Sequence, residues 1–90
     1  MPRYLVERKF EEGLRIPVSE EGARVCAMVV QNNSQDGVTW VHSYVTDDRT
    51  RTFCIYDAPT PDAILRAAER NKLPVSRITE VRVLDPYFYR

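Results

Sequence analysis

Glycine is scarce in this sequence, with three in 90 residues, and none belongs to a G-x-G-x-x-G or Walker-type loop. Phosphate cradles built on glycine-rich turns are therefore excluded. Cysteine is as sparse. Cys26 and Cys54 form no C-x-x-C pair, and two thiols in different predicted elements make no disulfide framework. In a reducing compartment they stay thiols. The chain has one histidine, His42. A Ser/His/Asp triad built on it lacks a nucleophile elbow, and one imidazole is sparse for a closed four-ligand zinc site. An excess of either charge is also missing: 13 basic residues balance 13 acidic ones, with no basic tract. That argues against a nucleic-acid backbone or an anionic membrane as partner. No run approaches the roughly 20 apolar residues of a membrane span. The N-terminal MPRYLVERKF turns charged by Glu7 and Arg8, with no apolar core of signal-peptide length. The expected location is cytoplasmic.

What is present is an ordinary globular mixture, 43% hydrophobic and 29% charged. Ninety residues make one domain, 1–90, near the lower end of what buries a self-sufficient core. A second copy covering an exposed sheet face relieves that shortage, so a homodimer is expected.

Alternation predicts a first strand over Arg3 to Arg8, with Tyr4 and Val6 on one face and Arg3, Leu5 and Glu7 on the other. Ser19 is a helix N-cap, and Glu20 and Glu21 suit the positive first turn that follows. That helix runs to about Asn32 with Ala23, Cys26, Ala27 and Val30 as its apolar stripe, and NNSQDG ends it. Cys26 reads there as a small core hydrophobe. A second strand spans Val38 to Val45, Thr46 to Thr52 (TDDRTRT) turns the chain, and a third strand spans Phe53 to Asp57. Asp47 and Asp48 read as turn residues. Thr60, Pro61 and Asp62 open a second helix with Ile64, Leu65 and Ala68 inward, and NKLP stops it. Ser76 to Leu84 forms a fourth strand, and the DPYFYR tail, with Tyr87, Phe88 and Tyr89, has a structural role. This order is the ferredoxin-like βαββαβ sandwich, an α+β fold with two helices on one face of a four-stranded antiparallel sheet.

The other face of such a sheet has no helix over it. A hairpin centred on Arg49 pairs Val45 with Phe53, Tyr44 with Cys54 and His42 with Tyr56. Opposed side chains then stand with Cβ atoms about 5 Å apart. In that register Val41, Val45, Phe53 and Ile55 enter the core, while Trp40, His42, Tyr44, Cys54 and Tyr56 join Glu7 on the helix-free face. A face so rich in Trp and Tyr is not normally left to solvent. The plain explanation is two sheets closing face to face, with tyrosines as amphipathic packing. The sharper one adds a metal site or a small-molecule cavity within that interface. Imidazole and thiolate together suit nickel, copper or zinc.

The segments W-V-H-S-Y-V and C-x-Y-[DE]-A-P, followed by an Ala-rich helix leading to an L-P turn, resemble the small bacterial proteins of domain of unknown function 4242, which include nickel-binding members. The resemblance spans Tyr4 to Val83. It implies a ferredoxin-like chain that forms an α/β-barrel dimer and binds nickel or another divalent transition metal. Carried over by position, His42 is the first ligand, Cys54 and Tyr56 fill the C-x-Y pattern, and Glu7 matches an acidic residue of the first strand. Asp57 stands where family members often carry Glu, and the alternation turns it towards the helices. Tyr44 or Tyr56 adds an oxygen or orients the imidazole. Two further readings come from other classes. One is a cofactor-free monooxygenase-like enzyme with His42 as general base. The other is a dimeric interaction module that binds no ligand.

Overall fold

The turn after the second strand decides which side of the sheet each hairpin residue faces. In the computed structural model, which describes residues 1–16 and 19–88, Asp48 clamps this turn. Its Oδ1 accepts from Thr46 Oγ1 at 2.8 Å, Thr50 N at 3.0 Å and Thr50 Oγ1 at 2.7 Å. Arg49 takes the left-handed conformation, φ 61°, and Thr46 N donates to Arg51 O at 3.0 Å. The strands on either side are β2 (Thr39–Val45) and β3 (Arg51–Asp57). They pair Val45 with Thr52, Tyr44 with Phe53, Ser43 with Cys54 and His42 with Ile55.

This register lies one residue from that of a hairpin centred on Arg49. Since side chains alternate with period two, a one-residue slip turns a whole strand over. Cys54 and Tyr56 therefore face the helices, 5% and 4% exposed. Phe53, Ile55 and Asp57 face the open side, where the Arg49-centred hairpin puts none of them. A second irregularity sits in β2, where the pairing jumps between Trp40 and His42 and leaves Val41 as a bulge. The extra residue shifts parity. Trp40 thus pairs with Tyr56 on the helix side, while His42 and Tyr44 stay on the open side. The indole Nε1 donates to Ser43 Oγ at 2.8 Å, a contact between residues three apart that share a face because of the bulge.

The remaining strands are β1 (Arg3–Lys9) and β4 (Arg77–Val81). The sheet is antiparallel in the order β2-β3-β1-β4. β1 alternates as expected, with Tyr4 and Val6 buried, and the same parity buries Arg8. β4 is shorter than the expected Ser76 to Leu84. The chain beyond it leaves Leu84, Tyr87 and Phe88 exposed, and Tyr89 lies outside the described residues.

Helix α1 (Glu20–Ser34) is capped by Ser19, whose hydroxyl accepts from Gly22 N at 3.3 Å. Helix α2 (Pro61–Asn71) is capped by Thr60, whose hydroxyl accepts from Ala63 N at 3.2 Å, and it ends at Lys72 in the left-handed region. Both N-caps stand where the sequence predicts them. α2 buries Ala63, Ile64, Ala67 and Ala68, while Leu65 is exposed. α1 buries only Gly22 and Asn33. Its expected stripe is rotated: Ala23, Ala27 and Val30 are exposed, and Val25, Cys26 and Val29 turn half-inward. Hydrophobicity misses this row because its two best-buried members are a glycine and an asparagine. The C-terminal halves of the helices are tied by amides, Asn32 Nδ2 to Asn71 Oδ1 and Asn71 Nδ2 to Asn33 Oδ1, both 2.9 Å. Asp36 adds ion pairs to Arg66 and Arg70. These two guanidiniums hold its carboxyl below the usual range, Arg70 contributing most. No helix among the described residues is long and apolar enough to cross a membrane.

Candidate functional site

The five expected ligands divide between the two faces of the sheet. On the open face, His42 and Tyr44 stand exposed near its β2 edge, their rings edge to face with centroids 5.1 Å apart. Strand pairing lays out two cross-sheet rows there: His42, Ile55, Leu5 and Thr79, then Tyr44, Phe53, Glu7 and Arg77. Adjacent strands lie about 4.8 Å apart, so Glu7, two strands from Tyr44 and in the row next to His42, stands on the same face but not beside the imidazole. Leu5, Phe53 and Ile55 between them are half-buried. Asp57, on this face rather than towards the helices, is held by Arg3 through paired contacts of 2.8 and 3.1 Å. The hydrogen-bonded guanidinium keeps its carboxyl below the usual carboxylate range.

Cys54 and Tyr56 lie on the other side, beneath the helices. The thiol donates to Thr52 Oγ1 at 3.5 Å. Tyr56 Oη accepts from Arg8 Nη2 at 3.3 Å. Burial pushes the phenol's pKa up, with the Arg8 charge working against that shift. Neither residue reaches His42, because the sheet itself lies between them. Among the described residues, no three His, Cys, Asp or Glu side chains gather closely enough to hold a metal ion. The donor chemistry of one chain thus offers nickel an accessible imidazole and a nearby phenol, not a complete coordination shell.

A cavity of about 730 Å³ opens on the helix side, between α1, the sheet and the chain after α2. Trp40, Ser43, Cys54 and Tyr56 form part of its sheet wall, and Val25, Cys26 and Val29 part of its helical wall. His42 does not line it. The cavity and the imidazole are on opposite sides of β2, so His42 is not placed to act as a base inside it. Arg8 is the cavity residue that hydrophobic patterning passed over. Its signal was available: Arg8 continues the Tyr4 and Val6 alternation onto the buried face.

Comparisons with known proteins agree with this geometry at the level of the fold. The chain matches the solved structure of SCO4226 from Streptomyces coelicolor A3(2) with a TM-score of 0.71, over 92% of this chain and 99% of that one, at 14% sequence identity. At such low identity the match shows a shared fold. No curated protein sequence matches the chain. Residues 4–81 match the model of a family described as "Nickel responsive protein SCO4226-like", which is related to the one its motifs resemble. The chain belongs to this SCO4226-like family of nickel-responsive proteins.

Proposed function

We propose that the protein binds a divalent transition metal, nickel first, through His42 on the helix-free face, and that it does so as a homodimer. One observation carries this reading: the lone imidazole stands exposed on a sheet face that no helix covers, beside half-buried Leu5, Phe53 and Ile55. Membership in a nickel-responsive family agrees with it. A lone chain offers too few donors on this face for a closed shell, so a second copy supplies the rest. Burying the apolar centre of the face drives that pairing. The exposed Leu84, Tyr87 and Phe88 supply further apolar surface for it. Glu7 and Tyr44 are the oxygen donors available on this face, as ligands or as partners that orient the imidazole. Cys54 and Tyr56 drop out of the ligand set because they face the helices. The kinship with domain of unknown function 4242 and the barrel form of the dimer belong to the same proposal.

The test is metal content by elemental analysis on tag-free protein purified without added metal, together with sedimentation. The expected result is a dimer with stoichiometric nickel, which His42→Ala loses while remaining folded. Full nickel stoichiometry and affinity in folded His42→Ala would overturn the assignment. Binding should also weaken on acidification, since an imidazole must be unprotonated to ligate.

A further inference from the structure

Among the described residues, the cavity beneath α1 contains a buried charge without a counter-charge. Arg8 is 4% exposed. Its Nη1 donates to Pro74 O at 2.7 Å and its Nη2 to Tyr56 Oη at 3.3 Å, both neutral acceptors. Its Cζ lies 5.9 Å from the centroid of the Tyr56 ring, a second weak contact for the charge. Nε has no hydrogen-bond partner among the described residues. Nor does any carboxylate among the described residues pair with the guanidinium. Such a group is costly in a protein interior: an unpaired buried charge is strongly disfavoured, and a guanidinium does not escape by losing a proton.

The other walls point the same way. The cavity is lined by four cations, Arg8, Arg49, Arg70 and Lys72, and by no aspartate or glutamate. The chain as a whole is charge-neutral. Two of the cations are already engaged. Arg70 pairs with Asp36, and Arg49 donates to the backbone oxygens of Leu14 and Ile16. Arg8 is the deep one. Around it the surface is apolar and aromatic, with Trp40, Val29 and Leu73 among the lining residues. At about 730 Å³ the volume falls within the range of small-molecule sites, which is roughly 300–1,000 Å³. A metal cation is disfavoured here by the lining charge, so this site is separate in both place and chemistry from the one proposed on the open face.

We infer that this cavity binds a small, largely apolar molecule carrying one carboxylate, which the Arg8 guanidinium receives at its base. Carboxylates match the guanidinium fork, and the unpaired Nε leaves one N–H of that fork to donate. The hydrocarbon or aromatic part of the ligand lies against Trp40 and the inner side of α1. The few buried residues of α1 follow from this role: the helix roofs the cavity instead of packing down onto the sheet.

The experiment titrates the full, tag-free chain with decanoate and with decan-1-ol, by calorimetry in chelator-treated buffer, so that nickel plays no part. The expected result is one decanoate per chain, bound about tenfold or more tightly than the alcohol, the advantage of hydrogen bonds to a charged group. In Arg8→Met the preference should collapse to near unity. On binding, the Trp40 indole and Arg8 Nε–H resonances should move saturably in NMR spectra of the unaltered protein. Equal affinity for acid and alcohol, no saturable binding of either, or a preference that survives Arg8→Met would each overturn the proposal. If Arg8→Met does not fold, the resonances of the unaltered chain decide. Saturation that moves His42 and Phe53 and leaves Trp40 and Arg8 unshifted places the ligand elsewhere and refutes the site.

Discussion

The two faces of this sheet are made from the same strands yet carry opposite chemistry. Beneath the helices, β1 and β3 contribute Tyr4, Val6, Cys54 and Tyr56 to a dense core, with a guanidinium enclosed beside a cavity. On the open side the same two strands present Leu5, Glu7, Phe53 and Ile55, half-buried on a face that no helix covers, with His42 and Tyr44 at the edge. The difference shows that a face is not a property of a residue's type. Cysteine and tyrosine went inward, and phenylalanine and isoleucine outward, because a turn and a bulge set the parity of each strand.

The sharpest way to test that contrast is to truncate one isoleucine on each side. Ile64, 1% exposed under the helices, should cost about 2–5 kcal/mol as Ile64→Ala. Ile55→Ala on the open side should cost the folded chain about 1 kcal/mol, a typical value for a partly buried site. If the chain forms the proposed homodimer, the larger effect should be on its dissociation. Chemical denaturation and sedimentation of both variants measure the pair. Similar denaturation losses would mean that the open face is as well packed as the core.

Tyr56→Phe comes next. Removing the phenol oxygen takes an acceptor from Arg8, whose Nε already has no partner among the described residues, and should destabilise by about 1–3 kcal/mol. If Cys54 and Tyr56 belonged to the open face, the same change would be nearly silent. Spectrophotometric titration provides a second reading. The buried phenol should ionise above its ordinary value, and that absorbance should vanish in the variant.

His42→Ala should move stability by no more than about 0.5 kcal/mol, as exposed positions do. On the proposed assignment, nickel binding should be lost all the same. That separation of function from stability is the opposite of the Tyr56→Phe result, and calorimetry with and without nickel records it.

The turn that sets the register provides the last contrast. Hydrogen bonds from the Thr50 backbone and side chain, and then from Thr46, bring the Asp48 carboxyl down to about 2. A folded value below the unfolded one stabilises above the unfolded range, and the contribution disappears as pH falls through about 2. Asp48→Asn should therefore be less stable than the parent near neutral pH, and the gap should close in strong acid. Acid unfolding curves for the two proteins test it.

Much of the fold is legible in residue order. Ser19 and Thr60 mark both helix starts because a hydroxyl at an N-cap satisfies a free backbone N–H locally. β1 alternates cleanly enough to place Tyr4, Val6 and Glu7. The candidate site was legible only in part. His42, Tyr44 and Glu7 are on the helix-free face, but Cys54 and Tyr56 are not, and the cavity around Arg8 left no motif. The missing information is the single-residue bulge at Val41 and the even-numbered turn held by Asp48. Neither is marked by a glycine or proline in the strand. Similarly, the inward row of α1 runs through Gly22 and Asn33, which hydrophobicity does not flag.

The sequence by itself therefore determined the elements, their order and the ferredoxin-like class, since caps, turns and periodicity act over a few residues. Only the tertiary structure decided which side of the sheet each hairpin residue serves. Parity along a strand reverses with one residue, and the pairing that fixes it is set between strands rather than within them.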